Sequence, residues 1–212
     1  MKRQWKFLGY DHATVCVTNI EGVVNFYVET MGAVVVYRNP DTNPLGKSSM
    51  VLYGLALDNT LLAIAQGIDR EEIAHPTRFV ERHGYHAYQH IAIRVDNIDA
   101  FITAMQSKGV QFLSPLYERT DPFGKVKQIF ALPFDPFINP EAAPFYEYVE
   151  RPPDWSLKKL VARTRRGLQP DIFSDTAAEK LFDAIQHAGY DRPVGSFFGD
   201  NFFAAEELSL GS

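Results

Sequence analysis

The sequence predicts an α+β protein: two tandem βαβββ modules forming an open, mixed β-barrel around a shared cavity, followed by a helical C-terminal tail. Three observations carry this reading. The order of elements repeats along the chain. A histidine opens the first strand of each repeat, at His12 and again at His90. The last strand of the second repeat holds a glutamate, Glu147, between aromatic residues, whereas its counterpart in the first holds no carboxylate.

The first unit starts with the apolar run His12 to Val17, which reads as a strand. Thr18 or Asn19 can cap the helix that follows, with Glu21 in its first turn. Val23, Val24, Phe26, Tyr27 and Met31 give that helix an apolar face, and Gly32 stops it. Three strand-like runs come next: Ala33 to Tyr37, Ser49 to Leu57 and Thr60 to Gln66. Asn-Pro and Asp-Asn pairs mark the turns between them.

The second unit repeats the scheme. His90 to Val95 is its first strand, and Asp96 or Asn97 caps a helix bearing Ile98, Phe101, Ile102 and Met105 that ends at Gly109. Strand-like runs are expected at Val110 to Leu113, Val126 to Leu132 and Ala143 to Val149. The two histidines are 78 positions apart, which is room for one complete module. The implied organisation is residues 9–67 and 89–151 as the modules and 68–88 as a connector. Residues 152–212 form a helical extension that ends in a lid over the active site. Asp69 to Gly84 in the connector looks helical, interrupted or started at His75-Pro76. Asp175 to Ala188 in the tail reads as an amphipathic helix.

Composition narrows the function classes. A net charge of -5 over 212 residues argues against nucleic acid, whose binding rests on basic patches. The basic run Lys158 to Arg166 reads as the solvated face of a helix. The single cysteine, Cys16, excludes an intramolecular disulfide, fits a reducing compartment, and lies in an apolar run as a buried residue would. No segment is long and apolar enough to serve as a signal peptide or to span a bilayer, so the expectation is a soluble, cytoplasmic protein.

The candidate chemistry follows from the repeat. Two equivalent modules placed side by side bring their first strands together, so His12 and His90 can face one cavity. A glutamate among aromatic and β-branched residues is costly to bury unless it is paired or bound to a metal, which selects Glu147 as the third group. A single histidine at a strand start is more often a hydrogen-bonded core residue. It is the repetition, with Glu147 behind it, that points to a metal. Two imidazoles and one carboxylate on one face of an octahedral ion form the arrangement used for non-haem iron(II). His75, His83 and His86 in the connector are loosely spaced, which fits exposed or supporting roles better than a second metal site.

These residues make a family visible. Tyr10-Asp-His-Ala-Thr-Val-Cys-Val17, Gln89-His-Ile-Ala92, Lys127-Gln-Ile-Phe130 and Phe145-Tyr-Glu-Tyr-Val-Glu-Arg151 occur in that order. Together they resemble the vicinal-oxygen-chelate superfamily, which includes glyoxalases and dioxygenases. Within it they resemble the catalytic C-terminal half of the 4-hydroxyphenylpyruvate dioxygenase and hydroxymandelate synthase family. The match runs from Gly9 to Arg151, and Phe198-Gly-Asp-Asn-Phe202 resembles a further family segment that leads into a helix covering the active site. The resemblance implies Fe(2+) held by His12, His90 and Glu147, with a 2-oxo acid, aromatic in character, and dioxygen as substrates. It implies oxidative decarboxylation followed by hydroxylation. Gln128, Gln66 and Ser49 would contact the substrate through polar groups, and Phe130, Phe198 and Phe202 would wall the pocket. Gln89 would orient its neighbouring ligand from behind. The family's additional N-terminal pair of modules has no counterpart here, and a homodimer would cover the surface this leaves.

Three rival readings share the fold. Ring-cleaving extradiol dioxygenases use a similar site of two histidines and one glutamate. Glyoxalase-like isomerases and epimerases usually need a fourth ligand, and Ala63 or Ala65 at that strand counts against them. A non-catalytic small-molecule-binding protein would have no need to keep all three ligand types.

Overall fold

A computed structural model describes residues 4–132, 144–168 and 175–187. Among these, eight strands form one curled sheet. Strand β1 (Phe7–Cys16) is followed by helix α1 (Ile20–Met31) and strands β2 (Val34–Asn39), β3 (Ser48–Leu57) and β4 (Thr60–Asp69). Helix α2 (His75–His83) leads into β5 (Ala87–Val95), α3 (Ile98–Gln106), β6 (Tyr117–Asp121), β7 (Gly124–Phe130) and β8 (Phe145–Glu150). Helices α4 (Leu157–Arg165) and α5 (Asp175–Gln186) complete the described chain. The strand order is β2-β3-β4-β1-β5-β8-β7-β6. The two βαβββ units are therefore mirrored in sheet order about the central antiparallel pair β1–β5, and each unit closes with a parallel pair, β1–β4 and β5–β8.

Local chemistry sets the ends of the helices. Asn19 Oδ1 accepts from Gly22 N at 3.1 Å, and Asn97 Oδ1 accepts from Ala100 N at 3.0 Å, so both units use an asparagine cap. Gly32 ends α1 in the left-handed region, φ 70°, which a residue without Cβ adopts without strain. Helix α2 starts at His75, the start that His75-Pro76 offers within the helical-looking run from Asp69, because Pro76 fits the first turn of a helix and breaks one further in. Asp69 Oδ1 instead ties the preceding turn, accepting from Ala74 N at 2.8 Å.

Alternation along the strands gives the sheet two faces. On the outer face, Leu62 and Ile64 of β4 and Tyr53 and Leu55 of β3 pack under Ile20, Val23 and Val24 of α1. Phe26 and Met31, expected in that apolar face, are exposed instead. In the second unit, Ile98 and Phe101 of α3 pack on Val95, Ile129 and Tyr148. On the inner face, Leu61, Ala63 and Ala65 of β4, with Met50 and Leu52 of β3, meet Phe79 of α2, Leu157 and Leu160 of α4 and Phe182 of α5. Cys16 is buried and unpaired, as expected, and burial pushes its thiol pKa up. Lys158, Lys159, Arg165 and Arg166 face solvent along α4. Among the described residues no helix is long and apolar enough to cross a membrane.

One strand differs from expectation. Val110 to Leu113 is not a strand; it contributes a single bridge, Phe112 to Ala131, before Ser114-Pro115 breaks the run. The second unit's second strand is β6, which pairs antiparallel with β7. Its sequence, Tyr-Glu-Arg-Thr-Asp, alternates exposed Glu118 and Thr120 with buried Arg119 and Asp121. The inward residues are charged, so the alternation does not register as hydrophobic.

The outer-face packing of α3 gives a direct test. Phe101 is 1 % exposed, with its ring 4.9 Å from that of Trp5 and 4.4 Å from that of Tyr148. Phe101→Ala should lower unfolding stability by about 3–5 kcal/mol in denaturant titrations. A loss below about 1 kcal/mol would show that α3 does not anchor the second unit.

Candidate metal centre

The β1–β5 ladder builds the site. Its register slips by one residue at Asp11, between Tyr10↔Ile93 and His12↔Ala92, and again at Gln89, between Thr14↔His90 and Val15↔Tyr88. Each slip inserts one residue immediately before a histidine, so each bulge re-aims a polar pair, Asp11-His12 and Gln89-His90. His12 and His90 both line one cavity on the inner face, with their ring centroids 5.8 Å apart.

Strand β8 supplies the third group. Its register pairs Ala92 with Glu147, and Glu147 is 2 % exposed. Its Oε2 lies 3.3 Å from His12 Nε2 and 3.3 Å from His90 Nε2. The candidate donor atoms of these three residues all lie within 4.8 Å of one another. Neighbouring donors in an octahedron with bonds of about 2.1 Å stand about 3 Å apart, so the 3.3 Å from Glu147 to each histidine is close to what a first-row divalent ion requires. The donor set of two imidazoles and one carboxylate fits such an ion. In the first unit the register pairs Thr14 with Ala63, which places an alanine at the position equivalent to Glu147.

Buried partners hold the donors. His12 Nδ1 donates to Asp11 Oδ1 at 2.7 Å. Arg151 grips the same carboxylate with two bonds, Nε to Oδ2 at 3.0 Å and Nη2 to Oδ1 at 2.7 Å. The Arg151 guanidinium also stands 4.8 Å from the ring centroid of Trp155. On the other side, Arg119 Nε donates to Gln128 Oε1 at 2.9 Å, and Gln128 Nε2 donates to Glu147 Oε1 at 3.2 Å. His90 is held mainly by rings: Phe145 stacks on it at 5.1 Å, and Phe130 meets it edge-on at 5.5 Å. Thr14 Oγ1 sits 2.8 Å from His90 Nε2, the same nitrogen that faces Glu147.

The electrostatics follow from burial and proximity. Burial alone would raise Glu147, but the His12 charge and hydrogen bonds from both histidines lower it to about 2. Burial would likewise lower His12, yet the Glu147 carboxylate and the bond to Asp11 raise it to about 9. Burial dominates at His90 and lowers it. Arg119 is lowered to about 10 by burial and by Arg151.

Not every expected residue reaches the cavity. Phe130 and Gln128 line it, although Gln128 has one amide hydrogen and its oxygen engaged by Glu147 and Arg119. Gln66 does not line it. Its Oε1 accepts from Ile20 N at 2.7 Å and so caps the start of α1. Ser49 does not line it either; its hydroxyl donates to Asp41 Oδ1 at 2.5 Å and accepts from Asn43 N at 2.8 Å, bracing a loop. Gln89 faces the cavity, contrary to strand alternation, because of the bulge, and its amide meets His75 rather than His90. Phe198 and Phe202 lie outside the described residues, as does the segment from Phe197 onward read as a lid. His75, expected in an exposed or supporting role, is instead buried in the cavity wall; Arg119, Asp121, Asp11 and Arg151 are further polar residues of the site and its supports, with no role expected from the sequence. The signal for Arg119 and Asp121 was their two-residue spacing in an otherwise polar strand.

Comparisons with known proteins agree with this architecture. A family model for the Glyoxalase/Bleomycin resistance protein/Dioxygenase superfamily matches residues 9–140. A triple mutant of 4-hydroxymandelate synthase from Streptomyces coelicolor superposes with a TM-score of 0.64 at 17% identity, over 84% of this chain and 53% of that one. The chain thus spans about half the length of that synthase. Methylmalonyl-CoA epimerase from Mycobacterium tuberculosis superposes at 0.50 and 19% identity, over 72% of this chain and 94% of its own. A hypothetical protein from Bacillus halodurans C-125 does so at 0.50 and 22% identity, over 70% and 95%. No curated protein matches the sequence.

The support of His12 by Asp11 is testable. Asp11→Asn should weaken iron(II) or zinc(II) affinity about 10–100-fold, as loss of an outer hydrogen-bond partner does, in competition titrations against a chelator. An unchanged affinity in the folded variant would show that Asp11 serves only to neutralise Arg151.

Proposed function

The chain belongs to the Glyoxalase/Bleomycin resistance protein/Dioxygenase superfamily, and we propose that within it the protein is an iron(II)-dependent dioxygenase acting on a 2-oxo acid. His12, His90 and Glu147 hold the metal in this reading. One observation carries it: the two histidine nitrogens meet a single carboxylate oxygen, each at 3.3 Å, while the equivalent fourth position is Ala63. Three protein donors leave coordination positions open for both a chelating substrate and dioxygen. When bound, iron(II) supplies the redox chemistry by which dioxygen oxidises a 2-oxo acid with loss of carbon dioxide and hydroxylation of the remainder.

The protein's own residues then bind, orient and enclose. Arg151 and Asp11 fix the His12 ring so that Nε2 faces the centre. Arg119 and Gln128 fix the Glu147 carboxylate from its far oxygen. Apolar walls from Met50, Leu52, Leu61, Phe130 and Ile185 favour an apolar or aromatic side chain and keep bulk water away from the reacting end. An epimerase-like reading, raised by the second structural neighbour, is less well supported, because Ala63 offers no donor and no basic side chain where that unit could supply one.

Iron(II)-loaded protein should consume dioxygen and release one carbon dioxide per oxygen with at least one member of a panel of aryl and alkyl 2-oxo acids, with product masses showing added oxygen. His90→Ala and Glu147→Ala should each abolish iron binding and turnover while circular dichroism stays near wild type. Full iron occupancy in either variant contradicts the ligand assignment. Iron binding without carbon dioxide release across the panel contradicts the reaction.

A further inference from the structure

The cavity that holds the three-donor cluster takes part of its wall from the tail. Helix α4 contributes Leu160, 2 % exposed, and α5 contributes the buried Ile185. Leu160 packs on the inner face of the first unit, in one cluster with Met50, Leu52 and Leu61. Ile185 packs on the second unit with Phe130 and Phe145, the two rings that flank His90. Each half of the sheet thus receives one aliphatic side chain from the tail. About 60 Å³ of space is left between these walls. An apolar cavity of about 150 Å³ is the size that takes up one benzene ring.

The α4 wall is anchored to the support of a metal donor. Trp155, one residue before the cap of α4, also lines the cavity. Its ring lies under two guanidinium groups, that of Arg94 at 5.1 Å and that of Arg151 at 4.8 Å. Arg151 in turn grips the Asp11 carboxylate that orients His12. The position of α4 is therefore tied to the position of the His12 ring. Leu157 is buried beside Leu160 in the same cluster, which leaves the helix little freedom to retreat, because packed interiors compress poorly.

We infer that Leu160 is a specificity-determining residue that limits the length of the substrate's side chain. The inference rests on the 2-oxo-acid reading and narrows it: the substrate is a 2-oxo acid with a short aliphatic side chain and no aromatic ring. The walls at this end, Met50, Leu52, Leu61 and Leu160, offer dispersion and exclude water, but supply no partner for a polar group. A methylene that fits such a pocket adds affinity, and one that does not forces overpacking. Discrimination of about 10–200-fold per methylene follows.

The test uses anaerobic iron(II)-loaded protein and a graded set of ligands: pyruvate, 2-oxobutanoate, 3-methyl-2-oxobutanoate, 4-methyl-2-oxopentanoate and phenylpyruvate. Dissociation constants are measured by calorimetry for wild type and for Leu160→Ala, which moves the wall back. The best aliphatic member should bind wild type at least about tenfold tighter than phenylpyruvate. In Leu160→Ala that ratio should fall at least about tenfold, with iron content within about twofold of wild type. Leu160→Val removes a single methylene, disturbs the core less, and should move the ratio in the same direction by a smaller factor. An unchanged ratio in the folded variants overturns the role of Leu160. The wild-type ordering needs no variant: phenylpyruvate binding as tightly as the best aliphatic member, or more tightly, overturns the size limit and leaves the 2-oxo-acid reading standing. Failure of every member to bind wild type overturns both.

Discussion

A carboxylate buried between two imidazoles is the constraint on which the rest of this structure depends. Glu147 is almost wholly removed from water and sits 3.3 Å from a nitrogen of each histidine. A charge in such a place is retained only when it is paired or bound to a metal, because desolvation alone costs several kcal/mol. Bringing the three groups together needs donors from β1, β5 and β8, which the antiparallel β1–β5 pair and the parallel β5–β8 pair place side by side. The central position of β1 and β5 in the sheet order is thus a requirement of the site as much as a feature of the fold.

The two units are similar in backbone and different in chemistry. Each begins with a strand whose register slips one residue before its histidine, each caps its first helix with asparagine, and each ends in a strand parallel to its first. Equivalence stops at the last strand, where register matches Glu147 with Ala63. That difference leaves three candidate donors on one side of the cavity instead of four around it. The polar supports are one-sided too. Asp11 and Arg151 stand behind His12, and Gln128 and Arg119 stand behind Glu147, whereas His90 relies mainly on the stacked Phe145 ring. The residue inserted before His90, Gln89, reaches out to His75 instead of supporting its neighbour.

Much of this was legible in the sequence because it repeats. The histidine-led apolar runs, the asparagine caps and Gly32 identify most elements of both units, and the cost of burying Glu147 singles it out as the third candidate donor. What was not legible has specific causes. Strand β6 hides because its inward residues, Arg119 and Asp121, are charged, so hydrophobic periodicity is blind to it. Gln89 was placed on the wrong face because a bulge cannot be read from alternation. Gln66 and Ser49 are polar residues on strands beside the cavity, and only coordinates reveal that a helix N-terminus claims the first and a loop aspartate the second. His75 lay in a connector read from its loose histidine spacing, and its partners Gln186 and Phe182 come from α5, more than one hundred residues later.

Anomalous diffraction at the iron absorption edge, from crystals loaded anaerobically with iron(II), tests the three-residue centre most directly. One strong peak is expected at bonding distance, about 2.0–2.3 Å, from His12 Nε2, His90 Nε2 and a carboxylate oxygen of Glu147. A peak bound elsewhere, or these three side chains well ordered around no peak at full iron loading, would contradict it.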